Sequence, residues 1–232
     1  MIPKHLFFIH LGGTPLPAWA ERNVQGWRDL LGPSWWVEVI TDASRPAVAF
    51  EDAYQRLPGY GAKSDVDRIN VLTKYGGVYL DYDTLPIRTL EPLIQSGVEF
   101  STSFTFGNQV ETAFIAMAPG HPLGLKFLSN LRDVPASLDY IGHTVGVWEA
   151  MLDDYLAPDQ SSGCILPNGV PLHRVQGFNQ PIVVKDALLM PYQSFHLRTQ
   201  TPDLAEARAL AHLYPHAMGL HEFRGTWRAN VV

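Results

Sequence analysis

The sequence predicts one α/β domain built on an open sheet with helices on both faces. In the first hundred residues, apolar runs typical of buried strands alternate with segments of helical periodicity, which is the pattern of such sheets. The chain has 232 residues, 46% of them hydrophobic, and this is enough for one large core. We therefore expect a single domain without linkers or repeats.

The first two strands flank a helix. The run 6–11 is apolar and predicts a strand, and a turn containing Gly12, Gly13 and two prolines follows. A helix is predicted from about Ala18 to Leu31, and Pro33 stops it. The side chains that this helix is expected to bury are Trp19, Val24, Trp27, and Leu30 or Leu31. Aromatic and β-branched residues at 35–40 predict the second strand.

The next segment predicts a helix over 61–75, a glycine C-cap and a strand over 78–80. Asp65, Arg68 and Leu72 are spaced by three and four residues, so they share one helix face beside an apolar stripe. One face of this helix is therefore polar, and the helical spacing alone does not give the reason.

Beyond Pro92 the pattern is less regular. Strands are predicted at 99–106 and 113–118, and helices at 122–131, 144–155 and 204–211. The segment 163–192 is rich in glycine and proline with short apolar runs, and the chain ends in a tail over 217–227.

Charge and composition narrow the class of protein. The net charge of −6, without a run of Lys or Arg, argues against a nucleic-acid binder. Cys164 is the only cysteine, so an intramolecular disulfide is impossible and a reducing compartment fits. The first residues are read as a strand rather than a signal peptide, and no apolar run reaches the length of a membrane span. We expect a soluble cytoplasmic protein.

Asp81-Tyr82-Asp83 directly follows the predicted strand 78–80. Open α/β sheets bind ligands at the carboxyl ends of their strands, and two carboxylates at a turn there can converge on one cation. Mg²⁺ or Mn²⁺ bound in this way leaves room for a diphosphate, whose negative charge it stabilises as a leaving group. A short acidic pair is also common in solvated surface turns, and that alternative stays open.

The whole block over 62–83 strongly resembles the sugar-binding region, with its Asp-x-Asp motif, of family 32 glycosyltransferases and of the catalytic domains of glucosylating clostridial toxins. The start of the chain, Gly120-His121-Pro122 and the tail resemble the family more faintly. The resemblance implies a GT-A fold with a Rossmann-like open mixed sheet flanked by helices. It also implies a nucleotide-diphosphate sugar donor, a Mn²⁺ or Mg²⁺ ion and transfer with retention of anomeric configuration.

The resemblance assigns roles residue by residue. Asp83 and, in part, Asp81 would hold the metal and diphosphate, and Asp65 and Arg68 would hydrogen-bond donor-sugar hydroxyls or a phosphate. For Asp65 and Arg68 the alternative is an ordinary ion pair along the helix. Tyr79 would help to position the donor, and its alternative is an inward-facing strand aromatic.

The tail and the first strand complete the expected site. His221 is the candidate third metal ligand, with Glu222 as its neighbour, and Trp227 would close over the diphosphate. Two positions depart from the family. His10 stands where a tryptophan is common near the base, and relatives often have an asparagine where this chain has 111–113. No catalytic nucleophile or base is assigned.

The function expected is a metal-dependent retaining hexosyltransferase that uses a UDP- or GDP-sugar and a glycan, lipid or protein acceptor. Residues 1–106 would form the nucleotide-sugar half, and 107–232 the acceptor half with the closing tail. The plainest setting is polysaccharide synthesis in the cytoplasm, with peripheral contact at the inner face of the membrane. The alternatives are a metal-dependent nucleotide-sugar hydrolase or phosphoesterase, and a sugar-nucleotide-binding protein without turnover.

Overall fold

A computed structural model describes residues 1–104, 110–133, 145–156, 181–191, 194–195, 205, 209 and 216–222. Its strands are β1 His5–Ile9, β2 Trp36–Ile40, β3 Gly77–Leu80, β4 Thr84–Pro86, β5 Phe100–Phe104, β6 Val110–Met117, β7 Ile182–Val184, β8 Ala187–Met190 and β9 Gly219–His221. Its helices are α1 Ala18–Leu31, α2 Glu51–Gln55, α3 Gly59–Tyr75, α4 Glu91–Gln95, α5 Pro122–Asn130 and α6 Val145–Leu156, with a 3₁₀ turn at Leu131–Asp133.

Seven of the strands form one mixed sheet in the order β2-β1-β3-β6-β5-β8-β7. Strand β1 runs parallel to both β2 and β3, whereas β6 runs antiparallel to β3 and β5. Strands β4 and β9 make a separate antiparallel pair, although more than a hundred residues lie between them in the chain. The predicted α/β class and open mixed sheet are confirmed.

An apolar cluster covers each face of the sheet. One contains Phe7 and Tyr79 and packs against α3, α5 and α6, and the other contains Phe8 and Leu80 and packs against α1 and α4. Neighbouring residues of a strand point to opposite faces, so β1 and β3 contribute to both clusters. Their near-continuous apolar sequence is the consequence of burial on both sides.

Most predicted elements are present with shifted ends. Helix α3 begins two residues earlier than predicted, and β6 begins at Val110 rather than 113. The short elements α2, α4 and β4 were not predicted, since each spans five residues or fewer and has too few positions to establish a period. Strands β7 and β8 lie within the irregular segment 163–192. The helix expected at 204–211 lies outside the described residues, apart from positions 205 and 209.

One detail of the predicted α1 packing is corrected, and one alternative is decided. Trp19 is only half-buried: it lies in the first turn of α1, and its ring packs against Tyr82 at a centroid distance of 5.6 Å. Leu31 is the buried leucine and Leu30 is half-buried. Trp27 is fully buried, as expected. Among the described residues, no helix is both long enough and apolar enough to cross a membrane.

Gly76 and Gly77 connect α3 to β3 where only glycine fits. Gly76 has φ +66°, and a Cβ atom there would lie 2.5 Å from Pro119 and 2.7 Å from Pro3. Gly77 has φ +128°, and its Cβ would lie 2.7 Å from the carbonyl oxygen of His5. The glycine pair therefore lets β3 enter the sheet directly from the helix.

Alanine substitution of Gly76 should add both backbone strain and steric conflict. Comparison with a glycine that has only the backbone strain separates the two costs. Gly32 closes α1 at φ +72° with nothing within 4 Å of its would-be Cβ, so it is the matched control. Gly32→Ala should cost about 1 kcal/mol from the left-handed conformation alone. Gly76→Ala should cost about 1–3 kcal/mol more, because the proline neighbours have to move. Urea unfolding of both variants measures the difference, and equal losses would contradict the steric argument.

A buried polar cluster joins the segment before α2 to α3. The hydroxyl of Tyr54 donates to Asp67 at 2.6 Å, and Arg45 Nη1 lies 3.9 Å from the other carboxylate oxygen. Asp67 has no exposed surface. Burial raises the pKa of Asp67 to about 6, although the Tyr54 hydrogen bond and the charge of Arg45 act in the opposite direction.

This pKa predicts a stability that falls with rising pH. Between about pH 4 and 6 the folded protein keeps a proton on Asp67 that the unfolded chain has released, so stability is lost as pH rises through the folded pKa. The loss attributable to this carboxyl is up to about 3 kcal/mol. In urea unfolding from pH 4 to 7, Asp67→Asn should remove that decline relative to wild type. Asp52→Asn, on the exposed surface of α2, should keep it.

Candidate active site

The Asp-x-Asp segment forms a tight turn at the carboxyl end of β3. The amide of Thr84 donates to the carbonyl of Asp81 at 3.0 Å, which closes the turn over positions 81–84. The amide of Asp81 donates to the carbonyl of Ala113 on β6 at 3.0 Å. Because the chain reverses here, both aspartates face the same side, as the sequence had predicted.

Two side chains of helix α1 hydrogen-bond to main-chain carbonyls of this turn. The indole N–H of Trp27 donates to the carbonyl of Thr84 at 2.8 Å, and the side-chain amide of Asn23 donates to the carbonyl of Tyr82 at 3.2 Å. Both side chains are buried, so these hydrogen bonds are shielded from water. These hydrogen bonds therefore hold the turn, and the two aspartates that it carries, in a fixed position.

Strand β9 brings His221 to the turn. Its pairing with β4 sets Thr84 opposite His221, and the amide of Glu222 donates to the carbonyl of Asp83 at 3.0 Å. The Nε2 atom of His221 lies 3.1 Å from Asp83 and 3.6 Å from Asp81. One ligand atom from each of these three side chains lies within 4.8 Å of the others. The structure thus assembles the three residues that the sequence named as metal ligands.

Glu111 is a further member of the site. One carboxylate oxygen lies 3.1 Å from His221 Nδ1, and the other accepts a hydrogen bond from Ser103 at 2.8 Å. The side chain is buried. In the sequence, positions 111–113 are recognisable only as a departure from the family. A glutamate inside an otherwise apolar strand is the signal that could have identified it.

The carboxylates of Asp81, Asp83 and Glu111 surround the imidazole of His221 and determine its charge. Burial by itself lowers the pKa of His221, but the hydrogen bonds to Asp83 and Glu111 outweigh burial and raise that pKa well above its ordinary value. Burial also raises the pKa of Asp81, against the opposing charges of Arg68 and His221. The imidazolium of His221 is therefore the cation that balances the acidic groups in this structure.

Arg68 links helix α3 to the same carboxylates. Its guanidinium pairs with Asp65 at 2.7 Å, lies 3.5 Å from Asp81 and donates to the carbonyl of Thr112. The ion pair along the helix that sequence analysis left open is therefore present. It is buried rather than solvated, since Asp65 is 2% and Arg68 5% exposed. The predicted contact of both residues with the donor sugar stays a prediction.

Tyr79 is an inward-facing strand aromatic that also reaches the site. Its ring lies 4.4 Å below the guanidinium carbon of Arg68, and its hydroxyl donates to Asp81 at 2.5 Å. Burial raises the pKa of Tyr79 well above its ordinary value, so the phenol keeps its proton. Tyr79 therefore fixes the orientation of Asp81, and its expected contact with the donor stays a prediction.

The remaining predicted site residues are farther from the carboxylates or outside the described residues. His10 donates from Nε2 to the carbonyl of Thr14 at 2.9 Å, and its ring meets the edge of Tyr82 at 5.8 Å. It thus lies beside the turn, where its role with the base stays a prediction. Trp227 lies outside the described residues.

The donor set of Asp81, Asp83 and His221 fits a divalent cation. Two carboxylates and an imidazole suit Mn²⁺, and the carboxylates alone suit Mg²⁺. Three protein ligands leave further coordination positions for water or phosphate oxygens. The chemistry of these residues therefore matches the ion expected from the sequence.

Comparisons with known proteins support the same class. Residues 35–99 match the glycosyltransferase sugar-binding region containing the DXD motif. Inositol phosphoceramide mannosyltransferase 3 of Schizosaccharomyces pombe is 36% identical over 84 residues, which are 35% of this chain and 22% of that protein. The initiation-specific alpha-1,6-mannosyltransferase of the same yeast is 23% identical over 206 residues, 76% of this chain and 49% of that protein. The chain thus spans less than half of either relative.

The solved structure of the PaToxG glycosyltransferase has a TM-score of 0.52 and 14% identity, covering 66% of this chain and 70% of that one. This similarity supports the fold. The fold is thus that of GT-A glycosyltransferases, and the acidic turn lies within the matched sugar-binding region. Over this region the chain is similar to glycosyltransferases of the family 32 type, which carry the DXD-containing sugar-binding region.

The buried position of Arg68 predicts a large stability effect. Arg68→Met should destabilise the protein by about 3–5 kcal/mol, because Asp65 and Asp81 lose a cation that water cannot replace. The matched control is Lys126→Met, which removes an exposed ion pair with Asp154 and should change stability far less. Thermal and urea unfolding measure both variants. Similar losses would mean that the Arg68 cluster is effectively solvated.

Proposed function

We propose that the protein is a metal-dependent glycosyltransferase that transfers a hexose from a nucleotide-diphosphate sugar. The observation that carries this proposal is the convergence of Asp81, Asp83 and His221 on one point at the carboxyl end of β3. Ligands of open α/β sheets bind at that end. The family 32-type region over 35–99 contains the turn itself and supports the same assignment.

A Mn²⁺ or Mg²⁺ ion held by these three residues would supply Lewis-acid stabilisation of the leaving nucleoside diphosphate. His221 would hold the ion through the lone pair of Nε2, which requires that this nitrogen carry no proton. Tyr79 keeps one oxygen of Asp81 oriented, and the main-chain bond from Glu222 to Asp83 keeps the tail against the turn. The ligands are thus held in place before the donor binds.

Arg68 and Asp65 lie on helix α3 beside the acidic turn. There they would face the sugar of a bound donor. A guanidinium donates and a carboxylate accepts, so the pair can select a geometry of sugar hydroxyls. Because both are buried and already paired, the donor would bind to a preformed arrangement. We further propose retention of anomeric configuration, with the departing phosphate taking the proton of the acceptor hydroxyl.

The names of the relatives suggest the first donor to test. Two of them are mannosyltransferases of yeast, one named for a lipid acceptor, inositol phosphoceramide. We therefore propose a mannosyl donor and a lipid or glycan acceptor. A cytoplasmic location, with peripheral contact at a membrane, is part of the same proposal and rests on the sequence alone.

The test is a panel of nucleotide sugars, beginning with GDP-mannose, incubated with Mn²⁺, with Mg²⁺ and with a chelator. Binding is measured by calorimetry, and turnover by release of nucleoside diphosphate. We expect one donor to bind and to be turned over only with metal. Asp83→Asn should reduce turnover at least about 100-fold, since the ion loses a ligand and the leaving group loses its stabilisation.

The exposed carboxylate variant Asp52→Asn is the matched control and should behave as wild type. Undiminished turnover by Asp83→Asn would overturn the proposal. Release of nucleoside diphosphate at the same rate with every acceptor tried would instead indicate a nucleotide-sugar hydrolase. Metal-dependent binding without any product would indicate a binding protein that has kept the site.

A further inference from the structure

Glu111 is an acidic side chain in β6, 5% exposed, which the proposed chemistry does not use. A buried carboxylate is costly unless its oxygens are occupied. Here both are: Oε2 accepts from the hydroxyl of Ser103 at 2.8 Å, and Oε1 lies 3.1 Å from Nδ1 of His221. The Ser103 hydroxyl therefore fixes the orientation of the Glu111 carboxylate, and the carboxylate in turn contacts His221.

His221 presents its two ring nitrogens to different partners. Nε2 is 3.1 Å from Asp83 and 3.6 Å from Asp81, whereas Nδ1 lies 3.1 Å from Oε1 of Glu111. A metal-binding histidine whose second nitrogen donates to a carboxylate is held in one tautomer and one ring orientation. The same bond makes the metal-facing nitrogen more basic.

The backbone of His221 is fixed separately. Its amide donates to the carbonyl of Phe195 at 2.8 Å, and β9 pairs with β4. Rotation of the side chain is the freedom that remains, and a ring turned by half about the Cβ–Cγ bond would put Cδ2 in the place of Nδ1 and Cε1 in the place of Nε2. The contacts with Glu111 at Nδ1 and with Asp83 at Nε2 both resist this rotation, and the Glu111 contact is the one that would remain when a metal ion occupies Nε2.

We propose that Glu111 is a positioning residue for the metal site: it accepts the Nδ1–H of His221 and so holds Nε2 towards Asp81 and Asp83. This proposal rests on the proposed function, because it assigns a role within the same metal site. Glu111 acts through His221 and is not itself a ligand. Ser103 supports it by holding the second carboxylate oxygen.

The first experiment is a double-mutant cycle read out by Mn²⁺ affinity, measured from the electron paramagnetic resonance signal of free Mn²⁺. Glu111→Ala should weaken binding about 10–100-fold, the usual effect of losing such a partner. Glu111→Gln should lose less, since its amide oxygen can still accept from Nδ1–H. In a His221→Ala background, Glu111→Ala should have almost no further effect.

Two controls separate positioning from charge and from folding. Glu99→Gln removes a half-exposed carboxylate at the start of β5 and should leave Mn²⁺ affinity unchanged. Glu111→Gln keeps the shape of the side chain, so it reports on the site if the alanine variant does not fold. A full loss from Glu111→Ala in the His221→Ala background would overturn the proposal, and so would wild-type affinity in both Glu111 variants.

A second readout is independent of metal binding. In protein labelled with ¹⁵N-histidine and without metal, the Nδ1 proton of His221 should give a downfield hydrogen-bonded signal, assigned by its absence in His221→Ala. The signal should disappear in Glu111→Ala and persist in Glu99→Gln. If wild type binds no Mn²⁺, the metal-site proposal fails while this signal still decides the His221–Glu111 contact. A signal unchanged in Glu111→Ala would overturn the positioning role.

Discussion

The contact of Asp81, Asp83 and Glu111 with the imidazole of His221 is the interaction on which the rest of the site depends. Carboxylates this close repel one another, and burial strengthens the repulsion because little water screens it. A positive charge between them is therefore required. In this structure His221 supplies it, with Arg68 on the far side of Asp81. The same requirement makes the cluster suited to a divalent cation.

Main-chain pairing makes this contact possible. Strand β9 comes from the end of the described chain and pairs with β4, which follows the acidic turn at once. Side chains would otherwise have to order a long tail by themselves, at a large cost in conformational entropy. Helix α1 supports the other side of the turn through Trp27 and Asn23. The site is thus built between the core sheet and the tail.

Helix α3 contributes to both the core and the site, because it carries the buried ion pair of Arg68 with Asp65. Its apolar side chains fill the core against the sheet, and its one polar face carries a cation to the edge of the acidic turn. A buried ion pair contributes little net stability, because desolvation offsets much of the attraction. Its retention here is best explained by a role in the site, where Arg68 contacts Asp81 and the carbonyl of Thr112.

The sequence by itself determined the alternation of strands and helices, the glycine junction at Gly76-Gly77 and the convergence of Asp81 and Asp83. Each depends on residues close together in the chain, where periodicity and backbone sterics act directly. It also named His221, but only through resemblance to a family, since no local pattern connects position 221 to position 83.

The tertiary structure alone decided which side chains surround His221. Glu111 and Ser103 come from neighbouring strands, and their hydrogen bond depends on the register of β5 against β6, which includes an irregularity between Thr102 and Phe104. Likewise, the contact of Trp19 with Tyr82 depends on where the acidic turn places Tyr82. The contacts of Glu111 with His221 and of Trp19 with Tyr82 join residues far apart in the chain. Strand register and packing set them, and neither can be read from local periodicity.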